Sequence, residues 1–222
     1  MNQDSTPGIL ARAPFARITR MARRAGLALL CIAAPANVHA GPALRDGDVI
    51  FQTSRSPQSL AVQRATGSKY SHMGLVVFRD GRPTVLEAAA TVRYTPLAEW
   101  IARGVDGHYV VKRLRDADTR LTPDATRRLL REGDRFVGRP YDLVFGWSDE
   151  RIYCSELVWK AFDRGMGLRV GRIQKIRDFN LSDPAVRAKL RERYGDHIPL
   201  DEPVISPVAM FESPILVTVV DR

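Results

Sequence analysis

The sequence predicts an α+β fold in which an antiparallel sheet packs against helices, within a single domain over residues 41–222. Three observations carry this. Apolar runs with strand character are joined by Asp80-Gly81, a strong short hairpin signal. Separate segments show apolar residues at helical spacing. No internal repeat, low-complexity stretch or linker divides the chain.

Asp48 to Gln52 reads as a strand, and residues 57–66 as a short helix with Ser56 as N-cap and Pro57 in its first turn. Residues 71–78 are apolar at nearly every position, as in a strand buried on both faces. After the Asp80-Gly81 turn the chain returns over 84–89. Residues 97–103 suggest one or two helical turns, and 108–114 alternate like a strand with one solvated face. Residues 122–137 place Leu129, Leu130, Phe136 and Val137 at helical spacing, and a further helix runs from Cys154 to about Gly165. Asp183-Pro184 opens a charged surface helix to Tyr194, and 215–220 form a final strand.

Composition excludes several classes. The 222 residues are 45% hydrophobic and 27% charged, which sets aside disordered and coiled-coil readings. Two cysteines, Cys31 and Cys154, cannot make a disulfide scaffold. Arg12, Arg17, Arg20, Arg23 and Arg24 precede the apolar run 25–36, and Val38-His39-Ala40 supplies the small residues of a cleavage site. Residues 1–40 therefore read as a signal peptide cut after Ala40, with Met21 as an alternative start, and the protein is expected to be periplasmic or secreted. Leu30 before Cys31 argues against a lipid anchor. Removing five Arg and Asp4 from a net charge of +9 leaves +5. That charge is dispersed among acids with no basic stripe, so no nucleic-acid partner is expected, and membrane contact is at most peripheral. The oligomeric state is left open.

The mature chain keeps one cysteine in an oxidising compartment, so the thiol calls for a use other than a disulfide. Leu157, Val158, Ala161 and Phe162 recur at helical spacing just after Cys154, which places the cysteine at a helix N-terminus. Unpaired amides and the positive dipole end there stabilise a thiolate, and the Cys154 N–H can face a developing oxyanion. A base is available through the hairpin. A two-residue turn pairs Arg79 with Arg82, so Glu87 opposes Gly74, and His72 shares its face one diagonal step away. Gly74 leaves room for the Glu87 side chain to reach the imidazole. A carboxylate in that place holds one tautomer and stabilises the imidazolium.

The blocks Gly47 to Gln52, Ser68-Lys69-Tyr70-Ser71-His72-Met73-Gly74, Glu87, Tyr141-Asp142, Tyr153-Cys154-Ser155-Glu156-Leu157-Val158 and Ile205-Ser206-Pro207 resemble the permuted papain-like amidases. These are the YiiX- and YebB-like cysteine hydrolases of the NlpC-like superfamily. His72 precedes Cys154, the reverse of the ordinary NlpC-like order. The resemblance implies a papain-like, circularly permuted fold with Cys154 as nucleophile, His72 as base, Glu87 as the orienting third member and no cofactor. Gly138-Arg139-Pro140-Tyr141 is similar to the segment whose Tyr lines the substrate site in NlpC-like enzymes. Tyr153 stands where those enzymes carry Asp. The resemblance implies cleavage of an amide, such as a peptidoglycan stem peptide or a related peptide.

Duller readings stand beside these. Tyr141 and Tyr153 serve equally as substrate-lining or packing aromatics, and Ser155 is a polar neighbour of the nucleophile able to contact substrate. Glu156 suits helix capping better than chemistry. His108 and His197 read as surface residues. Zinc binding by His72, Glu87 and Cys154 lacks any short ligand spacing, so no metal is expected. An acyl-lipid or ester substrate is the enzymatic alternative, because the permuted order also resembles lecithin:retinol acyltransferase-like proteins, and the apolar Met73, Val92 and Trp147 near the motifs would suit it. A non-catalytic module holding wall fragments is the alternative outside enzymes.

Overall fold

Six antiparallel strands form the central sheet of the computed structural model, which describes residues 43–222. They are β1 (Val49–Gln52), β2 (His72–Arg79), β3 (Arg82–Ala88), β4 (Val92–Pro96), β5 (Val110–Leu114) and, last in the chain, β8 (Leu216–Asp221), in the order β4-β3-β2-β1-β5-β8. A small hairpin pairs β6 (Gln174–Lys175) with β7 (Pro203–Val204). The expected signal peptide, its cleavage site and Cys31 lie outside the described residues.

Alternation along the strands sends apolar side chains to both faces, and both are covered. Val49, Phe51, Leu75, Val77 and Leu86 join the main core under α4 (Pro123–Asp134) and α5 (Cys154–Met166). Ile50, Val76, Val85 and Val111 face the other way, around the fully buried Trp100 of α2 (Leu97–Ala102). This accounts for the nearly continuous apolar run in β2.

The β2–β3 hairpin has the expected register, with Arg79 opposite Arg82 and Leu75 opposite Leu86. Asp80 and Gly81 both take positive φ, 50° and 73°, as a tight turn that follows the strand twist requires. Gly74 is required by close approach: a Cβ there would lie 2.4 Å from Val85 Cγ1 and 2.8 Å from the Leu86 carbonyl oxygen. At Gly165 the backbones of α5 and α4 close up, a Cβ meeting Leu129 Cα at 2.7 Å.

Three expectations are corrected. The first helix, α1, spans Ser59–Thr66, two residues later than expected, and Ser56 does not cap it with its side chain. Its hydroxyl pairs with Ser54 and its carbonyl accepts from the Ser59 amide at 3.0 Å. β5 has no solvated face: all five residues are buried, with Val110 and Leu114 in the main core and Val111 in the cluster on the other side. Its Arg113 is accommodated by Asp48, which accepts from Nε at 2.7 Å and from Nη2 at 2.8 Å. β4 was not anticipated as a strand, although Val92, Tyr94 and Thr95 have strand character. Two shorter helices, α3 (Ala117–Arg120) and α7 (Pro207–Phe211), complete the chain with α6 (Pro184–Tyr194), which Asp183 caps through the Ala185 amide at 2.8 Å.

Candidate active site

Cys154 is the first residue of α5 and a free, buried thiol, 4% exposed. The helix starts there because Tyr153 is extended and its amide donates to Glu156 Oε2 at 3.4 Å. Glu156 is thus committed to the helix start, and its other oxygen lies 2.7 Å from Lys160 Nζ. Burial pushes its carboxyl up to about 7 against the pull of Lys160.

His72, at the start of β2, hydrogen-bonds Glu87 through Nε2, at 2.6 Å from Oε2. Cys154 is near enough to the same ring to act on its protonation, as a hydrogen-bonding partner and as a charge. The ring also stacks on Trp100 at a centroid distance of 5.8 Å. Burial alone would lower the imidazolium pKa, but the hydrogen bonds and charges of Cys154 and Glu87 hold it up at about 9. Glu87 is fully buried, yet its carboxyl is held down at about 2. Burial opposes this, and the bond and charge of His72, Thr95 Oγ1 and Arg103 overcome it. Thr95 donates to Oε1 at 2.6 Å, and Arg103 Nη2 donates to the same oxygen. Thr95 and Arg103 were not singled out from sequence.

Tyr141 reaches the site because the chain before it is pinned on two sides. The Tyr141 amide donates to the Ala90 carbonyl at 3.0 Å, and the Asp142 amide to Ile152 beside the cysteine at 3.2 Å. Its hydroxyl accepts from Gln58 Nε2 at 2.7 Å, while Arg193 Nη2 donates to Gln58 Oε1 at 2.6 Å. Arg193 fixes which end of the Gln58 amide faces Tyr141, so the phenolic proton is left free to donate into the site. Burial first, and the neighbouring Cys154 charge next, push the Tyr141 pKa far up, keeping it protonated. Gln58 and Arg193 were also missed by sequence reasoning.

The other nominated residues have structural ties. Tyr153 is buried, its hydroxyl accepts from the Ile205 amide at 3.1 Å, and its ring packs on Phe145. Ser155 donates from Oγ to the Ile205 carbonyl at 2.8 Å. Both therefore anchor the 205 segment with their polar atoms, although both also line a pocket at the cysteine. Met73 and Val92 are core residues, and Trp147 packs against Trp159, so none of the three lines that pocket. His108 pairs with Asp221 at 2.9 Å.

Two recesses meet at this constellation. One is lined by Cys154 and by apolar side chains of α1, α6 and the loops between, including Val62, Phe145, Leu181, Val186 and Leu190. The other is lined by His72 and several basic residues. Gln58, Ser71, Tyr141, Lys189 and Arg193 border both. The charged surface helix expected here is present as α6, and one side of it also walls the pocket.

Known proteins share this arrangement of chain. Among solved structures, that of the metalloprotein YiiX from Escherichia coli O157:H7 matches with a TM-score of 0.77 at 50% identity, covering 80% of this chain and 97% of that one. The uncharacterized protein YiiX of Escherichia coli strain K12 is 51% identical over 173 residues, 78% of this chain and 84% of its own. Residues 43–220 match the family described as permuted papain-like amidase enzyme, YaeF/YiiX, C92 family, and the chain therefore belongs to that family.

Proposed function

We propose that this protein is a cysteine hydrolase acting by acyl transfer, with an amide carbonyl as its point of attack. The observation that carries the reading is the meeting of Cys154, at the start of α5, with a His72 ring that Glu87 holds by a hydrogen bond of 2.6 Å. Cys154 attacks the carbonyl carbon while its proton is held at His72 Nδ1. His72 then delivers that proton to the leaving group, and Glu87 keeps the ring oriented and its cation stabilised. Oxygen charge developing on the tetrahedral intermediate meets the Cys154 amide at the helix N-terminus and the free proton of Tyr141. Water then resolves the thioester with the same base, returning the proton to sulfur.

A metal has no part in these steps. The description of the Escherichia coli O157:H7 relative as a metalloprotein prompts a test of the donor set here. His72 Nε2 is taken by Glu87, Glu87 is saturated by His72, Thr95 and Arg103, and among the described residues no three His, Cys, Asp or Glu groups converge as ligands. These residues do not fit a resident metal.

A stem-peptide substrate draws less support than the reaction itself. Among the described residues no acidic side chain lines the pocket at Cys154 to read a peptide amine, and Tyr153, which replaces the Asp of NlpC-like enzymes, spends its hydroxyl on Ile205. A periplasmic or secreted location remains part of the proposal, supported by the signal-peptide features of residues 1–40. No helix among the described residues is long and apolar enough to cross a membrane.

The test is turnover of activated acyl substrates by the full chain and by Cys154→Ala. Loss of turnover with unchanged far-UV circular dichroism, together with a mass increment on Cys154 in quenched reactions, is expected. Undiminished turnover by Cys154→Ala overturns the reading.

A further inference from the structure

The two recesses differ in chemistry, and the catalytic pair divides between them. Cys154 lines only the apolar one and His72 only the basic one. In acyl transfer the acyl part becomes bonded to the sulfur, and the leaving group departs past the base that protonates it. The acyl part therefore belongs on the side of Cys154, among Val62, Phe145, Ile176, Leu181, Val186 and Leu190. Those side chains offer burial and no hydrogen bonds, and the charged groups at the rim are Lys189 and Arg193, both cationic.

Among the described residues, the leaving-group side carries Arg55, Arg103, Arg151, Lys189 and Arg193 against one acid, Glu192. Arg103 is engaged by Glu87, and Lys189 by Glu192 at 2.6 Å. Arg55, Arg151 and Arg193 have no carboxylate partner among the described residues, and Arg193 Nε is buried without a hydrogen bond. Low-dielectric walls lined with one sign of charge attract ligands of the other sign.

Resting on the cysteine-hydrolase reading above, we propose that the substrate is an anionic amphiphile: an aliphatic acyl chain in the Cys154 pocket, joined through its carbonyl to a head group bearing a phosphate or carboxylate in the arginine cleft. The S–C bond forms as the C–N or C–O bond to the head group breaks, and the sulfur's proton passes through His72 to the departing nitrogen or oxygen. Water then cleaves the thioester, so the products are a fatty acid and an anionic amine or alcohol. N-acyl amino acids and glycerophospholipids both present this chemistry.

The experiment measures kcat/KM of the full chain on four pairs: p-nitrophenyl acetate and octanoate; N-acetyl- and N-octanoyl-glutamate; N-octanoyl-glutamate and N-octanoyl-glutamine amide; and dioctanoyl phosphatidylglycerol and phosphatidylcholine. The expected result is a rise of about fourfold per added methylene until the pocket is filled. A preference of roughly tenfold for the anionic head over the neutral or zwitterionic one should accompany it, falling with ionic strength. The glutamate and phosphatidylglycerol arms distinguish the two sources. Ala65→Phe, which adds bulk at the pocket wall, should remove the octanoyl advantage while sparing acetate, with Val62→Phe as the alternative should the first misfold. Arg55→Glu with Arg151→Glu should remove the head-group preference while sparing p-nitrophenyl octanoate. Cys154-dependent cleavage with no preference for chain length or head-group charge overturns this inference and leaves the hydrolase reading standing. Absence of Cys154-dependent cleavage on every substrate overturns both.

Discussion

His72 Nε2 and Glu87 Oε2 lie 2.6 Å apart because a two-residue turn fixes the register of two neighbouring strands. The two shifts are opposite and both run against burial: Cys154 and Glu87 hold the imidazolium up at about 9, and His72, Thr95 and Arg103 hold the carboxyl down at about 2. The signs fix a pH window for stability. The His72 contribution is complete below its ordinary value of 6.5 and is lost as pH rises through about 9. The Glu87 contribution is complete above its ordinary 4.5 and is lost as pH falls through about 2. Both are in full force from about pH 4.5 to 6.5. Thermal melts from pH 2 to 10 should show the highest Tm in that interval, and Glu87→Gln should flatten the alkaline decline. An unchanged alkaline decline in the variant would show that the pair does not couple in this way.

The proposed mechanism makes the same pair control the thiol. Iodoacetamide alkylation of Cys154 at pH 6 should be at least roughly tenfold slower in His72→Ala, because the protein then loses the group that holds the sulfur's proton. The readout is a rate measured by mass spectrometry on the intact chain. Equal rates in the two proteins would mean that the thiol reacts independently of the ring.

Much of this site is legible in sequence, and the limit has a physical origin. His72 and Glu87 are related by a turn whose geometry follows from two residues, and Cys154 by a helix whose apolar spacing marks its start. Both relationships are local, with side-chain periods of 2 and 3.6. Thr95 and Arg103 escape because β4 is short and Arg103 lies just past the end of α2. Gln58 and Arg193 escape for a stronger reason: they are 135 residues apart and meet only when α6 folds back on α1. On its own, α6 reads as a charged surface helix, since nothing in its pattern says that Val186, Lys189, Leu190 and Arg193 wall a pocket.

Gly74 is where fold and site constrain each other. Gly74→Ala would bring a methyl against Val85 Cγ1 at 2.4 Å and the Leu86 carbonyl at 2.8 Å, next to Glu87. Relief requires the β2–β3 backbones to part, at a cost of about 1–3 kcal/mol. Chemical denaturation should show that loss, and kcat should fall more than KM rises as Glu87 shifts away from His72. Wild-type stability in Gly74→Ala would mean that the hairpin absorbs the methyl without strain.

Tyr141 is expected to act in the transition state rather than in binding. Gln58 Nε2 occupies the phenolic oxygen at 2.7 Å and leaves the hydroxyl proton for an oxyanion. Tyr141→Phe should lower kcat by roughly 10²–10³ with KM little changed, the range for removing one oxyanion donor. Gln58→Glu tests the same idea from the other side. A carboxylate next to the hydroxyl accepts its proton and turns it away from the substrate, so the loss in kcat should approach that of Tyr141→Phe although the tyrosine is intact. Gln58→Ala, which removes the competing group without supplying an acceptor, should cost less than Gln58→Glu. Steady-state kinetics on one activated ester for all three variants gives the comparison, and a Tyr141→Phe enzyme with undiminished kcat would leave the Cys154 amide to stabilise the oxyanion without the tyrosine.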